Sequence, residues 1–376
     1  IFYFSILLKR MSNIIMNVFL LTSLFNFLPS YASYTSYASY DCPYVNQNYL
    51  NDRREDNSKL RLVQFNAEWL FIDYYSPSNC PGNGCSWTTL DDANYHMSLI
   101  SNIITELNPD IINICEVESC NELNMLIDEI DMNKDVNATN TYNSYLIKGT
   151  DTSTGQNVGM ITKIDPIVNL YRSEEKITYP IQGTKCGNTS VYGTTGVSKH
   201  YITEFSLNLE SSEKINVALI GAHLLAIPTD PSRCVQREAQ AQVLQNIIHK
   251  YFLKNFEVIV MGDMNDYDME TLDMNSNKPT SRVLNIIKGI EGDKAGTYSL
   301  TNSAHKLDQK ERYSDWYDSD NNCDTMSNKD YSMIDHILVS KLLESRIKDV
   351  FIYHSYSEYC GKMNSDHYPV VVDFLL

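Results

Sequence analysis

From residue 60 onward, short apolar stretches repeatedly run into a carboxylate, amide or imidazole that a strand does not need. Arg61–Asn66 ends in Asn66, with Glu68 just beyond it. Ile111–Cys115 runs into Glu116, Ile215–Ala222 into His223, and Val258–Gly262 into Asp263, Asn265 and Asp266. Ile334–Val339 carries Asp335 and His336 at its start, and Asp366 and His367 precede the last run, Val370–Phe374. Singly, each has an ordinary explanation, such as a turn cap at Asn66 or a helix cap at Glu116. Together they do not, because burying a charge costs on the order of several kcal/mol unless it is paired or binds a metal. The simpler reading is that these strand ends converge on one site.

Further strands are expected at Ser144–Lys148, Val158–Thr162, Tyr201–Leu209 and Val350–His354. Helical periodicity occupies Asp92–Leu107, Ser119–Ile130, Cys234–Phe252 and Ser281–Ile287, and Pro109 stops the first of these. Strands and helices interleave, yet Tyr201–Leu209 and Ile215–Ala222 follow each other directly. This pattern predicts a mixed α/β sandwich rather than a purely parallel sheet.

Ahead of this region, an apolar run from Met16 to Ala32 follows Lys9 and Arg10 and ends in small residues. This is the layout of a secretory signal peptide, expected at residues 11–33 with the start at Met11 or Met16. A Tyr/Ser-rich polar linker without a core is expected at 34–59, leaving 60–376 as the catalytic domain. Nine cysteines fit an oxidising compartment, so a secreted or lumenal location is expected, with no membrane span once the signal is removed. Cys115, within an apolar run, is the expected free thiol, and the other eight are available for disulfides. A formal charge of -17 excludes a protein that holds nucleic acid by bulk attraction. A polyanionic substrate would need local basic contacts or bound cations, and no stable protein partner is inferred.

The strand-end residues are mostly oxygen donors, which suit Mg²⁺, Mn²⁺ or Ca²⁺, whereas zinc would call for more His or Cys. Attack of water on a phosphate needs a group to orient the water, positive charge for the non-bridging oxygens, and help for the leaving oxygen. These residues can supply all three. Arg233 and Arg237, near the start of the helix after His223, are expected phosphate contacts.

In order, the Asn66 strand end, Glu116, His223-Leu224, Gly262-Asp263-Met264-Asn265, Ile334-Asp335-His336 and Ser365-Asp366-His367 resemble the motif series of the endonuclease/exonuclease/phosphatase superfamily, with secreted deoxyribonuclease I-like nucleases among its members. The resemblance spans about 60–376. It implies a four-layer α/β sandwich, two packed mixed β-sheets flanked by helices. It implies metal ligation by Glu116, with Asn66 and Asp366 beside the metal, and phosphate contacts from Asn66 and Asn265. Asp263 would orient the water, and His367 would act as acid, base or charge stabiliser with Asp335 fixing its tautomer. His223 matches a second histidine of the secreted deoxyribonuclease branch, with Asp151 as its candidate carboxylate partner. Glu68 stands where many relatives carry a different polar residue. His336 should point away from the site as a structural group, and His200 is either a phosphate contact or a surface residue.

The function implied is metal-assisted hydrolysis of DNA, or RNA, by in-line attack of water. The alternatives are a sphingomyelinase-like or other phosphoesterase on a lipid or small phosphorylated substrate, and a non-catalytic binding protein on the same fold.

Overall fold

A computed structural model describes residues 41–376 apart from 77, 81–84, 86, 134–140, 210, 212, 319–322, 324–327 and 357–363. The leader expected at 11–33, and residues 34–40, lie outside the described residues.

The first strand, β1 (Lys59–Leu70), leads into helix α1 (Leu90–Leu107). Thr89 and Asp92 close a reciprocal capping box at the start of α1, and its last turn ends at Asn108 in the left-handed region, just before Pro109. β2 (Ile111–Val117) and α2 (Cys120–Met132, capped by Ser119) follow, then β3 (Asn143–Leu146) and β4 (Asn157–Thr162). A small hairpin, β5 (Ile177–Tyr179) and β6 (Gly193–Thr195), precedes the long pair β7 (Lys199–Asn208) and β8 (Lys214–His223). Asp230 caps α3 (Pro231–Phe252), with Pro231 in the first turn, where its missing N–H costs nothing. The remainder comprises β9 (Glu257–Asp263), α4 (Val283–Ile287), β10 (Leu300–Asn302), β11 (Asp315–Trp316), β12 (Tyr331–Ser332), β13 (Asp335–Ser340), α5 (Lys341–Glu344), β14 (Ile347–Ile352) and β15 (Val370–Leu375). The shorter strands and α5 carry too few residues for a period to show, and sequence reading missed them.

Two mixed sheets result, in the orders β14-β15-β1-β2-β4-β3 and β10-β13-β9-β8-β7. Side-chain alternation assigns every strand two faces. Leu62, Met160, Tyr201, Phe205, Leu219, Met261, Ile337 and Val372 fill the core between the sheets. Val63, Phe65, Ile112 and Ile114 cover the opposite face of the first sheet and pack on Ile100 and Ile104 of α1 and Leu126 of α2. Ile202, Ile220, Val260 and Leu338 do the same for the second sheet, against Leu244 and Ile248 of α3 and Ile286 of α4. The architecture is a four-layer α/β sandwich.

The segment expected to be a coreless linker is, over residues 41–59, attached to this body. Cys42 is disulfide-bonded to Cys120 at the start of α2. Val45 is buried, and Arg53 forms an ion pair with Asp165 at 2.6 Å. Composition concealed this, because the anchors are single residues set in a polar background. Cys80–Cys85 and Cys186–Cys234 are also bonded, Cys323 is in a disulfide, and Cys115 is free and buried. No helix of the described residues is long and apolar enough to cross a membrane.

Candidate active site

Strand register builds half of the site. β13 pairs with β9 so that Asp335 lies opposite Asp263, β9 pairs with β8 so that Asp263 lies beside His223, and β8 pairs with β7 so that His223 lies opposite Lys199. Four polar residues thus form a row across one end of the second sheet. Each shares strand parity with the apolar residues of the inter-sheet core, so the row faces the first sheet. His336, one residue out of step, faces the other way. It is buried between Asn302 Nδ2, 3.0 Å from its Nδ1, and the Asp266 carbonyl, 3.0 Å from its Nε2, in the structural position expected of it.

The first sheet supplies the other half. β1 and β2 lose register between Asn66 and Leu70, and β2 and β4 lose it between Cys115 and Val117. Such irregularities bend a strand and re-aim its side chains. At these bends Glu68 (φ 45°) and Glu116 (φ 65°) are left-handed, as is Asn265 (φ 48°) across the site. The left-handed backbone costs roughly 1–2 kcal/mol for a residue with a Cβ, and its concentration here is typical of sites under geometric demand.

Asn66 joins the halves. Its Nδ2 lies 3.2 Å from Glu116 Oε1, 3.2 Å from Asp263 Oδ2 and 3.3 Å from His367 Nε2. Its Oδ1 accepts the Glu68 N–H at 3.1 Å. With Oδ1 engaged by backbone, Asn66 acts as a donor between two carboxylates. Asp263 Oδ1 accepts the Asn265 N–H at 2.9 Å, and Asn265 Nδ2 donates to the Leu224 carbonyl at 3.3 Å.

His367 is held through Nδ1, 2.7 Å from Asp335 Oδ2. Asp335 is fixed in turn by Ser314 Oγ at 3.0 Å and Gln64 Nε2 at 3.0 Å. Donation from Nδ1 leaves His367 Nε2 turned to the site, with Asp315 Oδ1 at 3.7 Å and Asp366 Oδ1 at 3.8 Å. Burial alone would depress the imidazolium, but Asp335, Asp366 and Asp263 outweigh it and raise the His367 pKa well above its ordinary value. Burial, reinforced by Asp335 and Glu116, pushes Asp263 up to about 8, against the pull of His367 and the Asn265 N–H.

His223 is the electrostatic opposite. Burial first, then the cations Lys199 and His367, hold its pKa well below the usual value. Its Nε2 lies 3.5 Å from Asp263 Oδ2 and 3.5 Å from Lys199 Nζ, while its Nδ1 is buried without a partner. The expected partner, Asp151, does not reach it. Asp151 accepts from Ser153 N and Thr154 Oγ1 and stands 3.8 Å from Lys199 Nζ, so Lys199 lies between carboxylate and imidazole.

Two further expectations are corrected. Arg237 is fully buried, paired with Asp266 at 3.3 Å and donating to the carbonyls of Leu225, Ala226, Ile227 and Pro228. It braces the loop after His223 and, fully buried, presents no surface to a phosphate. Arg233 pairs with its own cap residue Asp230 at 3.7 Å and donates to the Ala226 carbonyl, outside the cluster. His200 is neither phosphate contact nor surface residue: it is buried, accepting the Ser173 N–H at 2.9 Å and standing 2.8 Å from the Val197 carbonyl.

Glu116, Glu68 and Asp366 offer the oxygen donors a divalent cation would need. Glu68 Oε2 accepts the Asp366 N–H at 3.1 Å, which sets the two carboxylates side by side. Burial, then Glu68, Asp315 and Glu116, push the Asp366 carboxyl well above its ordinary range, although His367 opposes them. This crowding of negative charge fits a hard cation that takes one or two carboxylates and keeps several waters. Among the described residues, tight groups of three ligating side chains occur elsewhere, at Cys186–Cys234–Glu238, where the sulfurs form a disulfide, and at Asp73–Glu118–Glu122. Sequence reading missed Gln64, Ser314, Asp315 and Lys199. Gln64 was accessible through parity, since it lies two residues from the inward-facing Asn66.

The sequence profile of the endonuclease/exonuclease/phosphatase family matches residues 64–367. No curated protein matches the chain. Solved structures similar to it include truncated TDP2 of Caenorhabditis elegans, 14% identical with a TM-score of 0.45, covering 85% of this chain and 98% of that one. A family protein from Leptotrichia buccalis is 14% identical with a TM-score of 0.48, covering 83% and 98%. The mannosyl-6-phosphatase Bt3783 of Bacteroides thetaiotaomicron is 16% identical with a TM-score of 0.44, covering 83% and 98%. The matched segment begins at Gln64, beneath Asp335, and ends at His367, and the chain belongs to the endonuclease/exonuclease/phosphatase family, whose members are hydrolases of phosphoester bonds.

Proposed function

We propose that the chain is a secreted, divalent-metal-dependent nuclease that hydrolyses phosphodiester bonds of DNA by in-line attack of water. The observation that carries this reading is the row Lys199–His223–Asp263–Asp335 facing Asn66 and His367 from the opposite sheet. A cation bound by Glu116, Glu68 and Asp366 would offset charge on the phosphate and the leaving oxygen.

The chain's own groups do the rest. Asp263, its carboxyl raised to about 8 by burial and fixed by Asn265 and Asn66, orients the attacking water and accepts its proton. His367, its Nδ1 held by Asp335, presents an N–H at Nε2 to a non-bridging oxygen of the phosphate. Lys199, buried beside His223, adds a positive charge that the row would otherwise lack. His223 supports the nuclease reading in particular, because it is the feature by which the sequence resembles secreted deoxyribonucleases. The disulfides support an oxidising location.

The test is to incubate the purified protein with plasmid DNA, RNA, sphingomyelin and a soluble phosphomonoester, with Mg²⁺ and with chelator. Mg²⁺-dependent cleavage of DNA is expected, abolished in His367→Ala. Cleavage of sphingomyelin or the monoester alone would replace the nuclease reading with a lipid or small-molecule phosphoesterase, and cleavage of none would sink the enzymatic one.

A further inference from the structure

Beside the β7 end of the catalytic row lies a cavity of about 930 Å³, walled in part by Lys148, Thr150, Arg172, Lys176, Thr195 and Ser198. It backs directly onto the active site. The Thr150 N–H donates to the Ser198 carbonyl at 2.9 Å. The next residue on each of these two segments, Asp151 and Lys199, meet at 3.8 Å, and Lys199 is 3.5 Å from His223. In a chain of formal charge -17, three cations gathered at this position call for an explanation.

Arg172 is the unusual group among them. Its Nη2 donates to the carbonyls of Val197 at 2.9 Å and Ser198 at 2.8 Å, and Nη1 reaches the Lys148 carbonyl at 3.4 Å. Its Nε is buried with no acceptor, and no carboxylate forms an ion pair with it among the described residues. Burial lowers its pKa with no acid opposing that effect. Carbonyl oxygens hold the planar fork in place but leave its charge without a counter-ion, an arrangement suited to receiving an oxyanion. Of the two carboxylates on the wall, Glu175 is engaged by Asn246 and Lys250, and Glu174 is exposed to solvent.

We propose that this cavity is a subsite for a phosphate of the substrate strand other than the one being cleaved, with Arg172 as its principal contact, and Lys148, Lys176 and the Thr150 hydroxyl around it. The proposal rests on the nuclease reading above. It also explains how so acidic a protein grips a polyanion: the bulk of the molecule repels the strand, and one cationic cavity beside the catalytic row retains it.

The experiment compares the full-length protein with its Arg172→Gln variant on an oligonucleotide and on bis(p-nitrophenyl) phosphate, a diester too small to reach both places. The expected result is a rise of about tenfold in KM for the oligonucleotide relative to any change on the small diester, with kcat for the oligonucleotide held. Equal losses on both substrates would mean that Arg172 only pins its segment to β7, and would overturn the proposal. Lys176→Gln, at an exposed position, guards against a folding defect in the first variant and should raise the oligonucleotide KM about twofold while flattening its salt dependence; no change in either variant overturns the subsite.

Failure of the nuclease reading is recognised separately. Inorganic phosphate is titrated calorimetrically into chelator-treated His367→Ala, with and without Arg172→Gln. Binding that needs Arg172, in a protein that cleaves no nucleic acid, would keep an oxyanion cavity but end its role in strand binding. Cleavage of the oligonucleotide with a KM insensitive to Arg172 ends the subsite and leaves the nuclease.

Discussion

Gln64 donates its side-chain amide to Asp335 Oδ1 at 3.0 Å, from the opposite sheet. The bond crosses the inter-sheet core directly beneath His367, and Asn113 Nδ2 donates to the Gln64 side-chain carbonyl at 2.6 Å to fix its orientation. Asp335, on the second sheet, thus receives donors from the first sheet and from the loops that carry Ser314 and His367, and the imidazole it holds inherits that rigidity.

Asp335→Asn should preserve the fold but lower kcat roughly 10²- to 10⁴-fold, because an amide no longer favours the Nδ1–H tautomer or stabilises the imidazolium. Gln64→Leu should cost less and act through kcat rather than KM. Steady-state kinetics on plasmid DNA with both variants checks the ordering, and an Asp335→Asn enzyme of normal rate would show that His367 is not oriented by this residue.

Removing negative charge from the Glu116–Glu68–Asp366 group should have opposite effects on stability and activity. In chelator, Asp366→Asn should melt at or above the temperature of the parent, since Asp366 is crowded by Glu68, Asp315 and Glu116. In Mg²⁺ the same variant should need more metal for half-maximal activity and gain less stability from it. Paired thermal melts and metal titrations decide this.

His200 gives a pH dependence on the side of β7 that faces away from the row. Burial first, then the Arg172 charge, lower its pKa from 6.5 to about 4. The folded state therefore favours the neutral ring, whose Nε2 accepts the Ser173 N–H. Its contribution is complete above pH 6.5 and is lost as pH falls from there through about 4, amounting to up to about 3 kcal/mol. Urea unfolding across that window should show a steeper loss for the parent than for His200→Gln.

Arg237→Met should destabilise the protein by about 3 to 5 kcal/mol, because it strands the buried Asp266 carboxylate and several loop carbonyls. Activity per folded molecule should survive to the extent that the loop keeps its shape. A large rise in KM with no loss of stability would restore Arg237 as a phosphate contact.

Replacing Cys42 and Cys120 by serine should cost about 4 kcal/mol through release of a loop spanning 78 residues. Limited proteolysis should then cut first within residues 41–59, the segment this bond secures.

Much of this architecture was legible because strands are short alternating codes. Asp263, Asp335 and His367 stood out as charges attached to apolar runs, and the parity of His336 correctly turned it away from the site. Arg237 misled because its N–H groups are consumed by carbonyls of a loop whose path a linear pattern does not contain. Lys199 escaped because its meaning lies in being opposite His223, and pairing register is a property of two strands at once. Residues 41–59 read as linker because their few anchors, such as Cys42 and Val45, contribute little to a composition average.

The row from Lys199 to Asp335 is aligned by the same register that buries Leu219, Met261 and Ile337 between the sheets. A slip of one residue in any of these strands would turn a side chain of the row toward the helices and, in the same movement, expel the apolar residues beside it from the core. Chemical competence and correct folding therefore fail together here. A molecule that has assembled its interior has, without further adjustment, set the spacing of its reactive groups.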